Sequence, residues 1–279
     1  MWQLIRIELF KIFRKPRTYI AFAAIAAIVF LVQLALYVDG QTYLDFIMRA
    51  VNSAFVIEGK TLNGYFVFFI ILQTLLVHVP LLIALVAGDL VAGEANMGTL
   101  RLLVSKPVSR TMLMAGKFIA ASVYTILLLT FMAVIGLLGS MLIFGTSDLM
   151  VLKSDMLILF DRDDVLWRYL AAYCFAGLSM LTVAALAFLF SVFAENSIGP
   201  IIAAMSVIIL FTILTTMDIP FFNVMKPYLF TNHMLNWKGF FDRPVDYGEV
   251  LKSALVLLGH IVFFVSLAIY VFRRKDILS

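Results

Sequence analysis

One cysteine, Cys174, stands in 279 residues, so no disulfide can form within the chain. The three histidines, His78, His233 and His260, lie far apart, and no two have the spacing of metal ligands. No metal or other cofactor is therefore expected on this chain. A phosphate loop is missing too. The nearest approach, Gly59-Lys60-Thr61, has Ala54 where the first glycine is required, so nucleotide hydrolysis is not expected here. HExxH and GxSxG are absent, as is any pair of carboxylates within an apolar run, which leaves an intramembrane enzyme without a catalytic constellation. Charge is scarce: Asp, Glu, Lys and Arg make up 14% of the chain, against roughly 25% in soluble domains.

What fills the space is oil. Hydrophobic residues make up 63% of the sequence, and the mean hydropathy is +1.05. A helix needs about 20 apolar residues to cross the hydrocarbon of a bilayer. Six stretches qualify: 19–38, 65–87, 118–144, 167–193, 198–216 and 253–272. They are long and do not alternate, and the chain has only 7 prolines against 26 phenylalanines. Both features indicate helices rather than a barrel. The 14 methionines are scattered and suit apolar packing.

Between the spans the chain is uneven. Residues 1–17 place Trp2, Ile5, Leu9, Ile12 and Phe13 on one helical face and Gln3, Lys11, Arg14 and Lys15 on the other. This reads as an amphipathic helix on the membrane surface, or else as a basic flank that orients the first span. Pro16 ends or kinks it. A cleavable signal peptide is not expected, because 19–38 is longer than a signal core and no small-residue cleavage site follows. Within 39–64, residues 46–57 form a candidate short helix. Inside the second span, Pro80 predicts a kink, and His78 is read as bonding a neighbouring carbonyl rather than relaying protons. Gly136 and Ser140 in the third span form a small-xxx-small pair. The run Asp161, Asp163, Asp164 is read as a solvated loop rather than a calcium site. Residues 217–252 are aromatic and irregular, too polar to span and greasy enough to dip into the interface.

The most informative segment is the charged cassette between the second and third spans, GDLVAGEANMGTLRLLVSKPVSRTMLMAGK, residues 88–117. Ionised groups in hydrocarbon are costly, so Asp89, Glu94, Arg101, Lys106, Arg110 and Lys117 are expected to face water or a partner. Gly98-Thr99 and the leucines after it predict a short amphipathic helix, broken at Pro107, with Ser109 as the cap of the next helix.

Six spans put both termini on one side. With the cassette and the joint at Glu195, that side carries 12 Lys+Arg against 5 Asp+Glu, and the other carries 9 against 12. The basic side is expected to be cytoplasmic. The pI near 9.1 reflects this orientation and not an affinity for nucleic acid.

The cassette resembles the signature of ABC-2-type transporter permeases: an acidic residue and a Glu, a Gly-Thr pair, a Leu-rich turn, a Pro-x-x-Arg element and a Gly-Lys at the next span. Here these positions are Asp89, Glu94, Gly98, Thr99, Leu102, Leu103, Pro107, Ser109, Arg110, Gly116 and Lys117. The basic start, the six spans and the tail Arg273–Asp276 fit as well, and the single-domain bacterial permeases of bacitracin-resistance, sodium-export and copper-maturation systems are the most similar.

The resemblance implies an all-α membrane protein forming one permease domain over 1–279. It would have six transmembrane helices, an N-terminal elbow helix at 1–17, a cytoplasmic coupling helix at 96–105 and a re-entrant outer segment at 217–252. It also implies a bacterial inner membrane, a second permease chain as a homodimer, and two copies of a separate ABC ATPase that carry the ATP and Mg. The ATPase would grip Asp89, Glu94, Gly98, Thr99, Arg101, Leu102, Leu103, Pro107 and Arg110, with Glu195 as a second contact. The expected activity is export of a lipophilic or amphipathic substrate. The alternatives are transmission of force to an outer-side partner, for which the long outer loops leave room, and an intramembrane enzyme.

Overall fold

The structure, a computed structural model, describes residues 1–52, 61–104, 108–153, 156–217 and 219–275. Six helices are long and apolar enough to cross a membrane, which makes the chain a multi-pass, mostly helical membrane protein.

A surface helix, α1 (Trp2–Arg14), ends where Lys15 turns extended, and α2 (Pro16–Asn52) starts on a proline, whose fixed φ suits a first helical position. The Thr18 hydroxyl donates to the Ile12 carbonyl across this corner. Non-helical backbone at Asp39 breaks α2. The expected short helix at 46–57 is therefore a continuation of α2 to Asn52, and 53–57 lie outside the described residues. Next comes α3 (Gly64–Ala87), capped by the Asn63 side chain, which accepts from the Tyr65 and Phe66 amides. Pro80 lies inside α3 without ending it.

The cassette forms α4 (Asp89–Asn96) and α5 (Leu100–Val104). The third span is α6 (Arg110–Ala133), a π-helical segment Val134–Leu138, and α7 (Gly139–Phe144). The remaining spans are α8 (Arg162–Phe193), α9 (Ile198–Thr216) and α12 (Tyr247–Arg274). The centre of the bundle is α8: 83% of its most apolar window is buried, against 17% in α9 and 22% in α12. It packs against α3, α6, α9 and α12. The first, third, fifth and sixth spans present a broad apolar face outward, as lipid-exposed helices do, whereas the second is 72% buried over its most apolar window.

Two features depart from the expectation of helices joined by loops. Two short strands, β1 (Leu149–Lys153) and β2 (Met156–Phe160), pair antiparallel, in register from Leu149 opposite Phe160. The acidic run after them is not a loop but the start of α8, with Asp161 at the N-cap and Asp163 and Asp164 in the first turn. Carboxylates there meet the positive end of the helix dipole.

The segment 219–246 folds into short turns that include α10 (Pro220–Asn223) and α11 (Phe230–Met234). Trp237, Phe240 and Phe241 are buried over the end of α8. Arg168 locks this cap, donating to the Phe240 carbonyl at 2.6 Å while its guanidinium lies 4.4 Å from the Phe160 ring centroid. His78 bonds the Thr74 carbonyl at 2.9 Å.

Candidate functional site

At the basic end of the bundle, α1, α4, α6 and the joint before α9 meet in a buried network of charge. In α1 the buried stripe is Ile5, Glu8 and Ile12, a helical i, i+3, i+7 set with a carboxylate in the middle. In α6 the corresponding stripe runs Leu113, Lys117, Ala120 and Tyr124. Neither charge is isolated.

Lys11 Nζ lies 2.8 Å from Glu8 Oε1 and 2.8 Å from Glu94 Oε1. Lys117 Nζ lies 2.9 Å from Glu8 Oε2 and 2.7 Å from Glu94 Oε2. Two carboxylates and two ammonium groups thus alternate in a closed ring, each bridging both of its opposites. The Lys117 side chain is fully buried and Glu8 is 2% exposed. Burial alone would raise the Glu8 pKa, but Lys117 and then Lys11 override it and hold the carboxyl below its ordinary range. Burial would likewise lower the Lys11 pKa, and the bonds from Glu8 and Glu94 instead raise it.

Asp89 forms a second node. Lys15 Nζ is 2.5 Å from its Oδ2, Arg17 Nη1 is 2.7 Å from its Oδ1, and the Ser197 hydroxyl donates to Oδ1. A Cβ at Gly93 would stand 2.3 Å from this Oδ1, so the carboxylate folds back over α4 only because residue 93 has no side chain. Ser191 on α8 accepts from the Val91 and Ala92 amides at 3.0 and 2.9 Å, which fixes the start of α4 to the central helix.

The turn that follows explains the Gly-Thr pair. Gly98 has φ +68°, the left-handed conformation that glycine adopts without steric cost. It ends α4, and the Thr99 amide then donates to the Glu94 carbonyl at 3.0 Å. Further on, Ser109 caps α6 by accepting from the Met112 amide, as its position predicts. A Cβ at Gly116 would sit 2.1 Å from Leu4 Cδ2, so this glycine lets α1 lie close on α6.

The residues selected from sequence therefore divide. Asp89, Glu94 and Lys117 do not face water: they are buried and paired within the chain, because α1 supplies the countercharges. Arg110 donates to the carbonyls of Phe272, Arg273 and Lys275, at 3.3, 3.1 and 2.8 Å, and so caps α12. Leu102 and Met97 are 67% and 59% exposed, Thr99 and Leu103 are half-buried, and Glu195 is exposed. Pro107 and the side chain of Arg101 lie outside the described residues. A groove of about 470 Å³ runs between α1 and α5, with Phe10, Met97 and Leu102 in its walls and Lys11, Arg14 and Lys15 along its edge.

Sequence reasoning passed over Glu8, Lys15, Arg17, Ser191 and Ser197 as site residues. Glu8 was detectable as a carboxylate set in an apolar stripe. Ser191 and Ser197 carry no local signal, since their partners lie about 100 residues away in the chain.

Over 200 residues the chain is 26% identical to the Bacillus subtilis (strain 168) protein described as "Uncharacterized protein YhcI". That alignment covers 69% of this chain and 63% of the relative, so the chain spans less than two thirds of the relative's length. Matched over residues 18–278, the chain belongs to the family of proteins of unknown function DUF2705.

Proposed function

We propose that the chain is the membrane-spanning permease subunit of an ATP-driven transporter of the ABC-2 type. In this reading ATP and Mg bind a separate ATPase present in two copies, two permease chains pair, and both termini are cytoplasmic in a bacterial inner membrane. One observation carries the reading. Met97, at the end of α4, and Leu102, on the short helix α5, are exposed at the tip of a segment fixed by ion pairs to α1 and α6 and by Ser191 to α8. In this reading a push on that tip is transmitted rather than absorbed locally. On the same reading the buried ring passes it to the third span and the Ser191 bonds pass it to the fourth, which is what coupling ATP binding to a change in the transmembrane path requires. A partner that gripped the tip would read Met97, Thr99, Leu102 and Leu103, with Glu94 acting from beneath as an anchor. The cargo class, lipophilic or amphipathic and exported, follows from the resemblance alone.

The test is co-purification from the native host. The wild-type chain should retain a chain bearing a phosphate loop, and Leu102→Asp should release it while the membrane protein still inserts. Retention of that ATPase by Leu102→Asp would remove the docking surface, and its absence from wild-type preparations would remove the transporter reading.

A second reading is favoured by the paired strands at the opposite end, where Leu152 and Leu159 are 40% and 53% exposed. Force delivered to an outer-side partner would use that surface. An ATP-dependent outer process without cargo movement would select it.

A further inference from the structure

We propose that the corner between α1 and α2 is a binding site for one anionic phospholipid. Its phosphate would sit on Arg14, and an acyl chain would lie along the outer face of α2. This inference stands apart from the ATPase reading and needs only that α2 spans the membrane.

Three observations carry it. The first is charge. Lys11, Lys15, Arg17 and Lys117 are all engaged with Glu8, Asp89 and Glu94. Arg14 is exposed and makes no ion pair among the described residues; its guanidinium only rests 5.7 Å from the Phe10 ring centroid. Counting Arg14, the corner and the network beneath it hold five cations, Lys11, Arg14, Lys15, Arg17 and Lys117, against the three carboxylates Glu8, Asp89 and Glu94. The excess is positive, and it selects an anion over a zwitterion.

The second is shape. Arg14, Pro16, Tyr19, Ile20 and Ala23 line a hollow of about 490 Å³ on the outer side of the corner. The hollow exists because Lys15 is extended, which swings α2 away from α1 and leaves a notch at the proline.

The third is continuity with hydrocarbon. Below the hollow the exposed face of α2 continues through Ala23, Ala27 and Phe30. The two alanines leave a shallow trough between Ile20 above and Phe30 below, on one stripe of the helix. At 1.5 Å per residue, ten residues of this stripe run about 15 Å, half the hydrocarbon thickness and the reach of one leaflet. A free phosphate would use the arginine but not the trough, so the committed occupant is the lipid.

The experiment is native mass spectrometry of the full chain in detergent, incubated with equal amounts of phosphatidylglycerol and phosphatidylcholine. The wild type should hold one phosphatidylglycerol in preference to phosphatidylcholine. Arg14→Ala should reduce that adduct about fivefold, and Arg14→Glu further. Ala23→Phe should fill the trough and weaken the adduct with Arg14 intact. Arg14 carries no fold-determining bond, and circular dichroism should show an unchanged helix content in its variants. Equal retention of the two lipids by the wild type, or an undiminished adduct in Arg14→Glu, overturns the proposal. So does displacement of the lipid by millimolar glycerol phosphate, which would indicate a site for a small phosphorylated solute. A wild-type dimer that binds no lipid would instead assign the corner to a second copy of the chain.

Discussion

Two side chains decide the chemistry at the basic end. Glu8 and Lys117 would each be costly alone in an apolar setting, and each is there because the other is. Removing one leaves its partners buried with unbalanced charge. Lys117→Met should therefore lower stability by about 3–5 kcal/mol, read as thermal unfolding in detergent micelles. Adding Glu94→Gln should recover part of that loss, which a simple packing defect would not. The same ring sets a pH window. The Glu8 pKa is lowered by folding, so its contribution is complete above the unfolded value near about 4.3 and fades as pH falls through the lower folded value. The Lys11 pKa is raised, so its contribution is complete below about 10.4 and fades as pH rises through the higher folded value. Between about pH 5 and 10 the difference in unfolding temperature between wild type and Glu8→Gln should stay constant. Below that range the two curves should converge.

Among the elements, the third span shows how a polar group within the bundle can be structural. The helix loosens into a π turn at Val134–Leu138, which disturbs its regular hydrogen bonding. Gln33 of α2 reaches in and donates to the Ile135 carbonyl at 3.2 Å and to the Ser140 hydroxyl at 3.1 Å. The glycine of the small-residue pair packs against Phe68, whose Cε2 would lie 2.9 Å from a Cβ at Gly136, and the serine bonds Gln33. Both members of that pair thus make helix contacts, one to α3 and one to α2. Gln33→Leu should cost about 1–2 kcal/mol, measured by thermal unfolding, and should speed hydrogen exchange in 133–140 before the rest of α6. Unchanged exchange there would mean that the π turn holds without Gln33.

Over the whole molecule, the orientation expected from charge is open to labelling. The joint at Glu195 and the cap at Ser109 lie at the basic end with α1 and the end of α12. In a Cys174→Ala background, a cysteine at Glu195 should resist an impermeant thiol reagent in intact cells and react in inverted vesicles. One placed at Tyr228, which is 75% exposed at the other end, should behave oppositely. The reverse pattern would invert the topology and with it the proposed site for an intracellular ATPase.

The number of candidate spans was decided by the sequence alone, because a run of about 20 apolar residues has one cheap arrangement in a bilayer. The stop at Pro16 and the cap at Ser109 were legible for a similar reason, since each depends on bonds within a few residues, whereas the coupling helix expected over 96–105 is interrupted by the left-handed turn at Gly98, between α4 and α5. The pairing of β1 with β2 was not legible, because the strands are short and their apolar run reads equally as the flank of a span. Nor could the fate of Asp89 and Glu94 be read. Whether a carboxylate meets water or an ammonium group depends on what α1, 70 to 90 residues away, lays over it. Pairing of charge across helices is a property of packing, so only the tertiary structure could turn an apparently solvated cassette into a buried joint.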